Sequence, residues 1–196
     1  MSDEFTDPWP SAGRYSTELL LGHKVRLRAL EERDLDDLTA WWNDPKWMAY
    51  QAATVMPAPY SSQVDMFRKW SENSTSSSVG FSIENTVTGE LVGHLTLWGI
   101  DPIVRAATLG IIIGSPHIGQ GFGADAISVL KRYAFDELAL NKIELAVWEF
   151  NVRALRTYQR AGFVVEGRRR AAAFHDGRYW DQVQMGILSS EYLETR

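Results

Sequence analysis

The chain has 196 residues, 45% of them hydrophobic and 12% aromatic, which is enough for one sizeable core and one domain. Its net charge of −5 disfavours nucleic acid as the main partner, because phosphate contacts need clustered Lys and Arg. There is no cysteine, which excludes disulfides and a thiolate nucleophile, and the four histidines are too scattered to suggest a metal site.

The first elements are an N-terminal arm and a strand. Residues 1–20 are rich in Ser, Pro, Gly and acidic side chains, which is typical of an arm, and we expect the domain to occupy residues 21–196. The arm has no basic segment followed by an apolar stretch, so we expect no signal peptide, no membrane span and a cytoplasmic protein. Alternating polar and apolar side chains over residues 23–29 predict a strand.

Two helices are predicted next. Residues 31–43 have apolar side chains at helical spacing, acidic residues in the first turn and an Asn-Asp-Pro stop. Ser61 or Ser62 can cap the second helix, which ends at Asn73 before a run of Ser and Thr.

Three strands follow, at residues 79–84, 91–98 and 106–113. Turn-forming residues separate the first two, which predicts an antiparallel hairpin. The third strand ends in three consecutive β-branched residues, Ile111–Ile113, which is typical of a strand buried on both faces.

The C-terminal part alternates helices and strands before a final hairpin. We expect a helix from Gly123 to Glu137, a strand at 143–148, a helix at 151–160 closed by Gly162, and strands at 163–174 and 179–188 around an Asp176-Gly177 turn. The order β α α β β β α β α β β predicts an α+β fold with one mixed central sheet of about seven strands and about four helices.

The most informative local pattern is the glycine-rich segment before the third helix. Gly119, Gly121 and Gly123 alternate at the helix start, where glycine lets the backbone approach a ligand and free N–H groups favour an anion. A tight turn alone needs fewer glycines. A nucleoside triphosphate is disfavoured because the Lys and the Ser or Thr of a P-loop are missing. The glycine spacing loosely matches that of dinucleotide sites, but in those sites the loop follows the first strand of a parallel sheet, whereas here it follows antiparallel hairpins.

Three motifs, in this order, resemble the GNAT family of N-acetyltransferases. They are the triplet Ile111–Ile113, the loop Gln120–Gly123, and the segment Asn151-x-x-Ala154-x-x-x-Tyr158-x-x-x-Gly162-Phe163. The resemblance spans roughly residues 24–188 and is similar to the branch of ribosomal-protein N-terminal acetyltransferases and spermidine acetyltransferase. It implies a single GNAT-like domain, acetyl-CoA as the donor, no metal, and direct attack in a ternary complex by a primary amine: a protein N-terminus, a polyamine or another small amine.

The resemblance also implies which residues hold the donor. Backbone groups of Ile111, Ile112 and Ile113 would pair with the pantetheine arm like an added strand, and the Ile112 N–H would hold the thioester oxygen. Residues expected beside the pyrophosphate and the pantetheine are Ile118, Gly119, Gln120, Gly121, Gly123, Ala124 and Asn151. Tyr158 would lie by the sulfur, and its phenol would protonate the leaving thiolate as general acid.

Two positions depart from the family pattern. Ile118 stands where the family often has Arg or Gln, so backbone amides must contribute more to phosphate binding. Thr108 stands where many relatives have a glutamate that accepts the amine proton. Glu144 or Glu149 on the next strand could serve as the base through a water chain, or the amine could arrive neutral.

The acceptor is left open by the sequence. Acidic residues on and beside the first helix could steer a polyamine or a basic peptide, or they could simply stabilise the helix N-terminus on a solvated face. These residues are Glu31, Glu32, Asp34, Asp36, Asp37 and Asp44. Trp41, Trp42, Trp47 and Tyr50 are typical of a core, although residues 47–60 could line a substrate entrance.

Two alternatives to acetyl transfer remain at this stage. One is a CoA-binding sensor or interaction module with little or no catalysis, which Thr108 suggests; the other is an acyltransferase that uses a larger acyl-CoA. We expect no nucleic-acid or membrane partner, and the edge strands offer a surface for a homodimer.

Overall fold

One mixed sheet of seven strands forms the centre of the computed structural model, which describes residues 8–194. The strands are β1 (Val25–Arg28), β2 (Ser78–Asn85), β3 (Leu91–Asp101), β4 (Ala106–Ile113), β5 (Lys142–Trp148), β6 (Val164–His175) and β7 (Arg178–Leu188). Their spatial order is β1-β2-β3-β4-β5-β7-β6, with β4 and β5 parallel and all other neighbours antiparallel. The predicted α+β fold with a mixed seven-stranded sheet is confirmed.

Seven α-helices surround the sheet in the part of the chain that the structure describes. They are α1 (Ala12–Leu19), α2 (Leu35–Trp42), α3 (Met48–Gln51), α4 (Tyr60–Trp70), α5 (Phe122–Arg132), α6 (Val152–Arg160) and α7 (Ser189–Glu194). The four predicted helices correspond to α2, α4, α5 and α6, and α5 continues into a π-helical turn over Tyr133–Glu137. None of these described helices is long and apolar enough to cross a membrane.

Helix α1 lies in the segment that the sequence predicts as an arm, of which residues 1–7 fall outside the described residues. Leu19 at its end is buried. The Arg132 guanidinium on α5 donates to the carbonyl oxygens of Glu18, Leu19 and Leu21, at 2.6 to 3.0 Å. The described part of the arm is therefore attached to α5, and the division at residue 20 stays a prediction.

Helix α4 begins differently from the prediction. Its N-cap residue is Pro59, and Ser61 and Ser62 lie inside the first turn without capping it. The proline ring restricts φ to about −65°, and Pro59 has φ −56° with an extended ψ. The prediction of a serine cap was wrong because proline already sets the direction in which the chain enters the helix.

Strand β4 has different neighbours along its two edges. It pairs with β3 from Ala106 to Ile113, but with β5 only from Ala106 to Thr108. Beyond Thr108 the two parallel strands part. The edge of β4 that faces β5 therefore has no strand partner over residues 109–113, and its backbone groups are available to another extended chain.

The core lies on both faces of the sheet. Helix α5 packs on one face with Ile127 and Leu130, and helices α2 and α4 pack on the other with Leu38 and Phe67. Consecutive residues of β4 point to alternate faces. Ile112 therefore packs on the side of α2 and α4, whereas its neighbours Ile111 and Ile113 pack on the α5 side.

Candidate active site

A cavity of about 470 Å³ opens where β4 and β5 part. Its α5 half is aliphatic and is lined by Ile111, Ile113, Ile118, Gly123 and Ile127. Its other half, which we call the aromatic half, is lined by Trp42, Trp47, Tyr50, Trp70 and Trp98. Helix α6 closes one side with Asn151, Arg153, Ala154, Thr157 and Tyr158.

The isoleucine triplet lines this cavity. All three residues of Ile111–Ile113 are only partly buried, whereas Ala107 and Leu109 earlier in β4 are buried. The triplet packs on both faces of the sheet as predicted, but it is not fully buried, because the edge of β4 beyond Thr108 has no strand partner and opens into the cavity. The aliphatic side chains line the opening instead.

The glycine loop provides backbone groups beside the α5 half. Gly119 and Gly121 have φ of 85° and 89°, the left-handed conformation that glycine adopts without strain. Gly121 is the N-cap of α5 and offers no capping side chain, so the first N–H groups of the helix have no intrahelical partner. A Cβ placed on Gly119 would meet nothing within 4 Å, so a ligand can approach the backbone there.

Other predicted loop residues lie around the same turn. Ile118 and Gly123 line the cavity, and Ala124 is exposed in the first turn of α5. The Gln120 side chain donates to the Pro116 carbonyl oxygen at 3.0 Å, so it braces the loop. These positions surround the helix start, where the dipole and free N–H groups favour an anion.

Lys24 adds a positive charge beside the loop that no sequence pattern indicated. Its Nζ donates to the Gln120 carbonyl oxygen at 2.8 Å and lies 3.2 Å from where a Gly121 Cβ would be. Asp125 in the first turn of α5 accepts backbone N–H groups from Lys24 and both its neighbours, which fixes β1 beside the loop. Because the contact joins residues 96 positions apart, only the tertiary fold reveals it.

Helix α6 positions two of the predicted site residues. Asn151 is its N-cap, and the side-chain oxygen accepts the Ala154 N–H at 3.2 Å. Tyr158 lies two turns further along, and both residues line the cavity. Gly162 follows the helix with φ 94°, so the predicted glycine stop is confirmed.

The Tyr158 phenol is held in an apolar setting. Its ring packs against the core and contacts Phe163, with the ring centroids 5.9 Å apart. Burial raises the pKa of Tyr158 to about 12, because the charged phenolate loses its hydration. The side chain therefore stays protonated at neutral pH, which is the state that a general acid requires.

His94 is a neutral side chain at the cavity that the sequence patterns did not single out. It is 2% exposed, pairs with Ile112 in the β3–β4 register and hydrogen-bonds Ser71 Oγ through Nε2 at 2.7 Å. Burial lowers the pKa of His94 to about 4. It is thus a weak proton acceptor at neutral pH.

The two candidate bases are not brought to the cavity. Glu144 lies where β4 and β5 are still paired, with an oxygen 3.3 Å from Lys142 Nζ, and borders a separate cleft. Glu149 contacts Arg168 at 3.1 Å and accepts the Asp181 N–H at 2.9 Å. Neither carboxylate is among the residues that line the cavity between β4 and β5.

The acidic residues around α2 are also directed elsewhere. Asp34 is buried and pairs with Arg28 at 2.7 Å, and Asp36 accepts the Tyr60 hydroxyl at 2.7 Å. None of the six acidic residues lines the described cavity: Glu31, Glu32, Asp34, Asp36, Asp37 and Asp44. Trp47 and Tyr50 do line it, in line with the alternative that residues 47–60 form a substrate entrance, and Trp42 both lines it and packs against the core beside α2 and α4.

Comparison with known proteins identifies the family. Residues 24–164 match the family model described as Acetyltransferase (GNAT) domain. The chain is 32% identical over 173 residues to spermidine N(1)-acetyltransferase of Vibrio cholerae, which covers 88% of this chain and 98% of the relative. The chain belongs to the GNAT acetyltransferase family.

Solved structures of GNAT enzymes share the fold. The structure of spermidine N-acetyltransferase from Vibrio cholerae in complex with CoA and spermine has a TM-score of 0.77 at 33% identity, covering 87% of this chain and 98% of that chain. A dodecameric structure of the Vibrio cholerae enzyme has a TM-score of 0.72 at 31% identity, covering 88% and 98%.

Family membership confirms the predicted activity class: this GNAT protein is an acetyl-CoA-dependent N-acetyltransferase. Neither a sensor without catalysis nor a larger acyl donor gains support from the relatives. The residues present fit the donor, because a free strand edge leads directly to a helix start rich in free N–H groups. Among residues 8–194, no group of three or more His, Asp or Glu side chains could hold a metal ion.

Proposed function

We propose that acetyl transfer takes place in the cavity between β4 and β5, with the donor against the α5 half and a primary amine in the aromatic half. The observation that carries this proposal is the free edge of β4 over residues 109–113, which runs from the cavity to the α5 N-terminus. An extended pantetheine arm needs backbone partners, and a pyrophosphate needs N–H donors. The free edge of β4 and the N–H groups at the start of α5 follow one another in the order in which the donor needs them.

Binding of the donor is assigned mainly to backbone groups. Residues Ile111–Ile113 hydrogen-bond the pantetheine arm, and amides of residues 119–124 surround the pyrophosphate. Lys24 provides a positive charge beside these amides and offsets the missing basic side chain at Ile118. Asn151 borders the pantetheine while it caps α6.

Three groups act on the reacting atoms. Bound acetyl-CoA supplies a thioester whose carbonyl carbon is attacked by the amine. An N–H group on the free edge of β4, that of Ile111 or Ile113, donates to the carbonyl oxygen as negative charge develops there. The predicted Ile112 N–H faces β3 instead, because the Gly114 N–H two residues further on donates to the Val92 carbonyl oxygen of the β3 side. Tyr158 gives its proton to the thiolate sulfur; burial keeps the phenol protonated until then.

The amine proton does not pass to a nearby carboxylate. Glu144 and Glu149 lie away from the cavity, and His94 has a pKa of about 4. We infer that the amine binds in its neutral form, and that the proton it loses on forming the amide returns through water to the Tyr158 phenolate. Since only the neutral fraction reacts, kcat/KM should rise with pH until the pH exceeds the pKa of the free acceptor amine.

A continuous assay of CoA thiol release tests the proposal. With acetyl-CoA and a panel of primary amines, at least one amine should produce release above the rate without acceptor. Calorimetric titration with CoA, run in parallel, should show binding. Binding of CoA without release on any amine would contradict acetyl transfer by this chain.

The assembly and the location are inferred only by likeness. Strand β6 is an edge of the sheet with exposed Val164, Val165 and Phe174, and a Vibrio cholerae relative forms a dodecamer. We infer that this chain also forms at least a homodimer and acts in the cytoplasm. Light scattering should then give a mass above that of one chain, and a monomer would contradict it.

A further inference from the structure

The aromatic half of the cavity carries no negative side chain. Of the described residues that line the cavity, none is Asp or Glu, and the charged side chain that does line it is Arg153. A polyamine held there would lose hydration around several positive charges without gaining a carboxylate partner, which is costly. The lining chemistry therefore differs from what a polycationic acceptor requires.

Positive charge is concentrated at one tryptophan. The Arg153 guanidinium and Lys46 Nζ each lie 5.0 Å from the centroid of the Trp47 ring. These cations already occupy the ring by cation–π contact, so it is not free for an ammonium group. Asp44 accepts the Lys46 backbone N–H but does not line the cavity. An anionic group is favoured beside Arg153, and a second cation is repelled.

Two unpaired polar atoms belong to the same region. Trp47 Nε1 is a buried donor without a partner, and Gln51 Oε1 is a buried acceptor without one, although both side chains line the cavity. Gln51 is held in place because its Nε2 donates to the Trp41 carbonyl oxygen at 3.2 Å. Buried unpaired groups are rare in folded proteins and call for an explanation.

We propose that the acceptor is a small amine that carries both an aromatic group and a carboxylate, as an aromatic α-amino acid does. The carboxylate lies beside Arg153 and takes the Trp47 Nε1–H, the amine donates to Gln51 Oε1, and the ring packs among Trp42, Trp70 and Trp98. This assignment rests on the proposed function. The acceptor differs from the spermidine of the similar Vibrio cholerae enzyme.

A panel of acceptors tests the contributions of the amine, the ring and the carboxylate separately. With saturating acetyl-CoA, phenylalanine and tryptophan should have a kcat/KM at least tenfold above those of spermidine, of alanine, which lacks the ring, and of phenylethylamine, which lacks the carboxylate. If spermidine or phenylethylamine equals or exceeds the aromatic amino acids, the proposal is wrong while acetyl transfer itself stands. If no amine releases thiol although CoA binds, both fail.

An Arg153→Gln variant tests the charged contact. A charge-assisted hydrogen bond accounts for about 1.4 kcal/mol, or roughly tenfold, so KM for phenylalanine should rise about tenfold. KM for phenylethylamine should not change, nor should KM for acetyl-CoA. The matched control is Arg156→Gln, which removes an exposed arginine from the same helix outside the cavity and should leave all three constants unchanged.

The donor offers an alternative role for Arg153, since CoA also carries phosphates. If Arg153→Gln instead raised KM for acetyl-CoA but not for phenylalanine, the arginine would belong to the donor site. A comparison of CoA with dephospho-CoA in the calorimeter would show which phosphate it contacts. That result would overturn the assigned carboxylate contact.

Discussion

The two halves of the cavity are built in different ways. The α5 half comes from one continuous stretch, residues 109–127, and works through backbone groups whose positions follow from the end of β4 and the start of α5. The aromatic half is assembled from side chains on α2, α3, α4 and β3 together with the residue before α3. Donor binding can therefore stay constant while single substitutions change the acceptor.

The largest effect is expected at Tyr158, where the two halves meet. Tyr158→Phe removes the acid and should lower kcat by about 100-fold or more, within the range typical of general acid catalysis. Binding of CoA, measured by calorimetry, should remain almost unchanged because the ring still packs. An unchanged turnover rate would remove Tyr158 from the chemistry and leave the thiolate to be protonated by water.

A large effect on stability is expected at the buried ion pair that precedes α2. Asp34, which precedes α2, is buried and binds Arg28 and the Ser82 hydroxyl. Asp34→Asn should lower the free energy of unfolding by about 3 kcal/mol, because it leaves Arg28 with an incompletely paired charge. Asn73→Gly is a useful comparison, since Asn73 has φ 48°, which glycine also adopts, and its side chain bonds only the Gly80 backbone; this substitution should cost about 1 kcal/mol. Equal losses in urea unfolding would contradict the special role of the ion pair.

The same group gives a pH dependence with a definite sign. Burial favours the neutral acid, but hydrogen bonds from Arg28, the Glu31 N–H and Ser82 outweigh it, so the pKa of Asp34 is lowered. Its contribution to stability is therefore complete above the unfolded value near 4 and is lost as pH falls through the lower folded value. Melting temperatures should drop below about pH 4 in the native chain, and less steeply in Asp34→Asn. If melting temperature falls equally with pH in both proteins, other carboxyl groups account for the acid sensitivity.

A smaller effect should be confined to the α5 half. Gly121→Ala places a Cβ at a positive φ and close to Lys24 Nζ, so the loop must shift and the affinity for acetyl-CoA should fall about tenfold. Gly89→Ala imposes the same backbone strain in an open turn far along the sheet and should leave that affinity unchanged. If both variants bind acetyl-CoA equally, the loop does not contact the phosphates.

The sequence predicted the α5 half well because its determinants are close together in the chain. Three alternating glycines after a β-branched strand indicate a helix start with exposed amides, and the structure has this arrangement. Seven strands and four helices followed from periodicity and turn residues. Helices α3 and α7 were not predicted, because four and six residues give too little periodicity to recognise. Helix α1 is as long as α2 but lies in a segment whose Ser, Pro, Gly and acidic residues indicated an arm.

The aromatic half could not be predicted for a different reason. A tryptophan at helical spacing has the same pattern whether it faces a core or a cavity, and only the parting of β4 from β5 decides which. Their position on the strand after the loop indicates Glu144 and Glu149 as candidate bases, yet the register places Glu144 before the opening, and Glu149 contacts Arg168. Lys24 and His94 reach the site through contacts between distant segments.

Amide hydrogen exchange with and without CoA tests the location of the donor most directly. Binding should slow exchange at Ile111, Ile113 and residues 119–124, and should leave the hairpin of β6 and β7 unchanged, because the free edge of β4 and the α5 N-terminus then acquire partners. Protection confined to any other surface, or unchanged exchange in these two segments at saturating CoA, would contradict the placement of the acetyl donor.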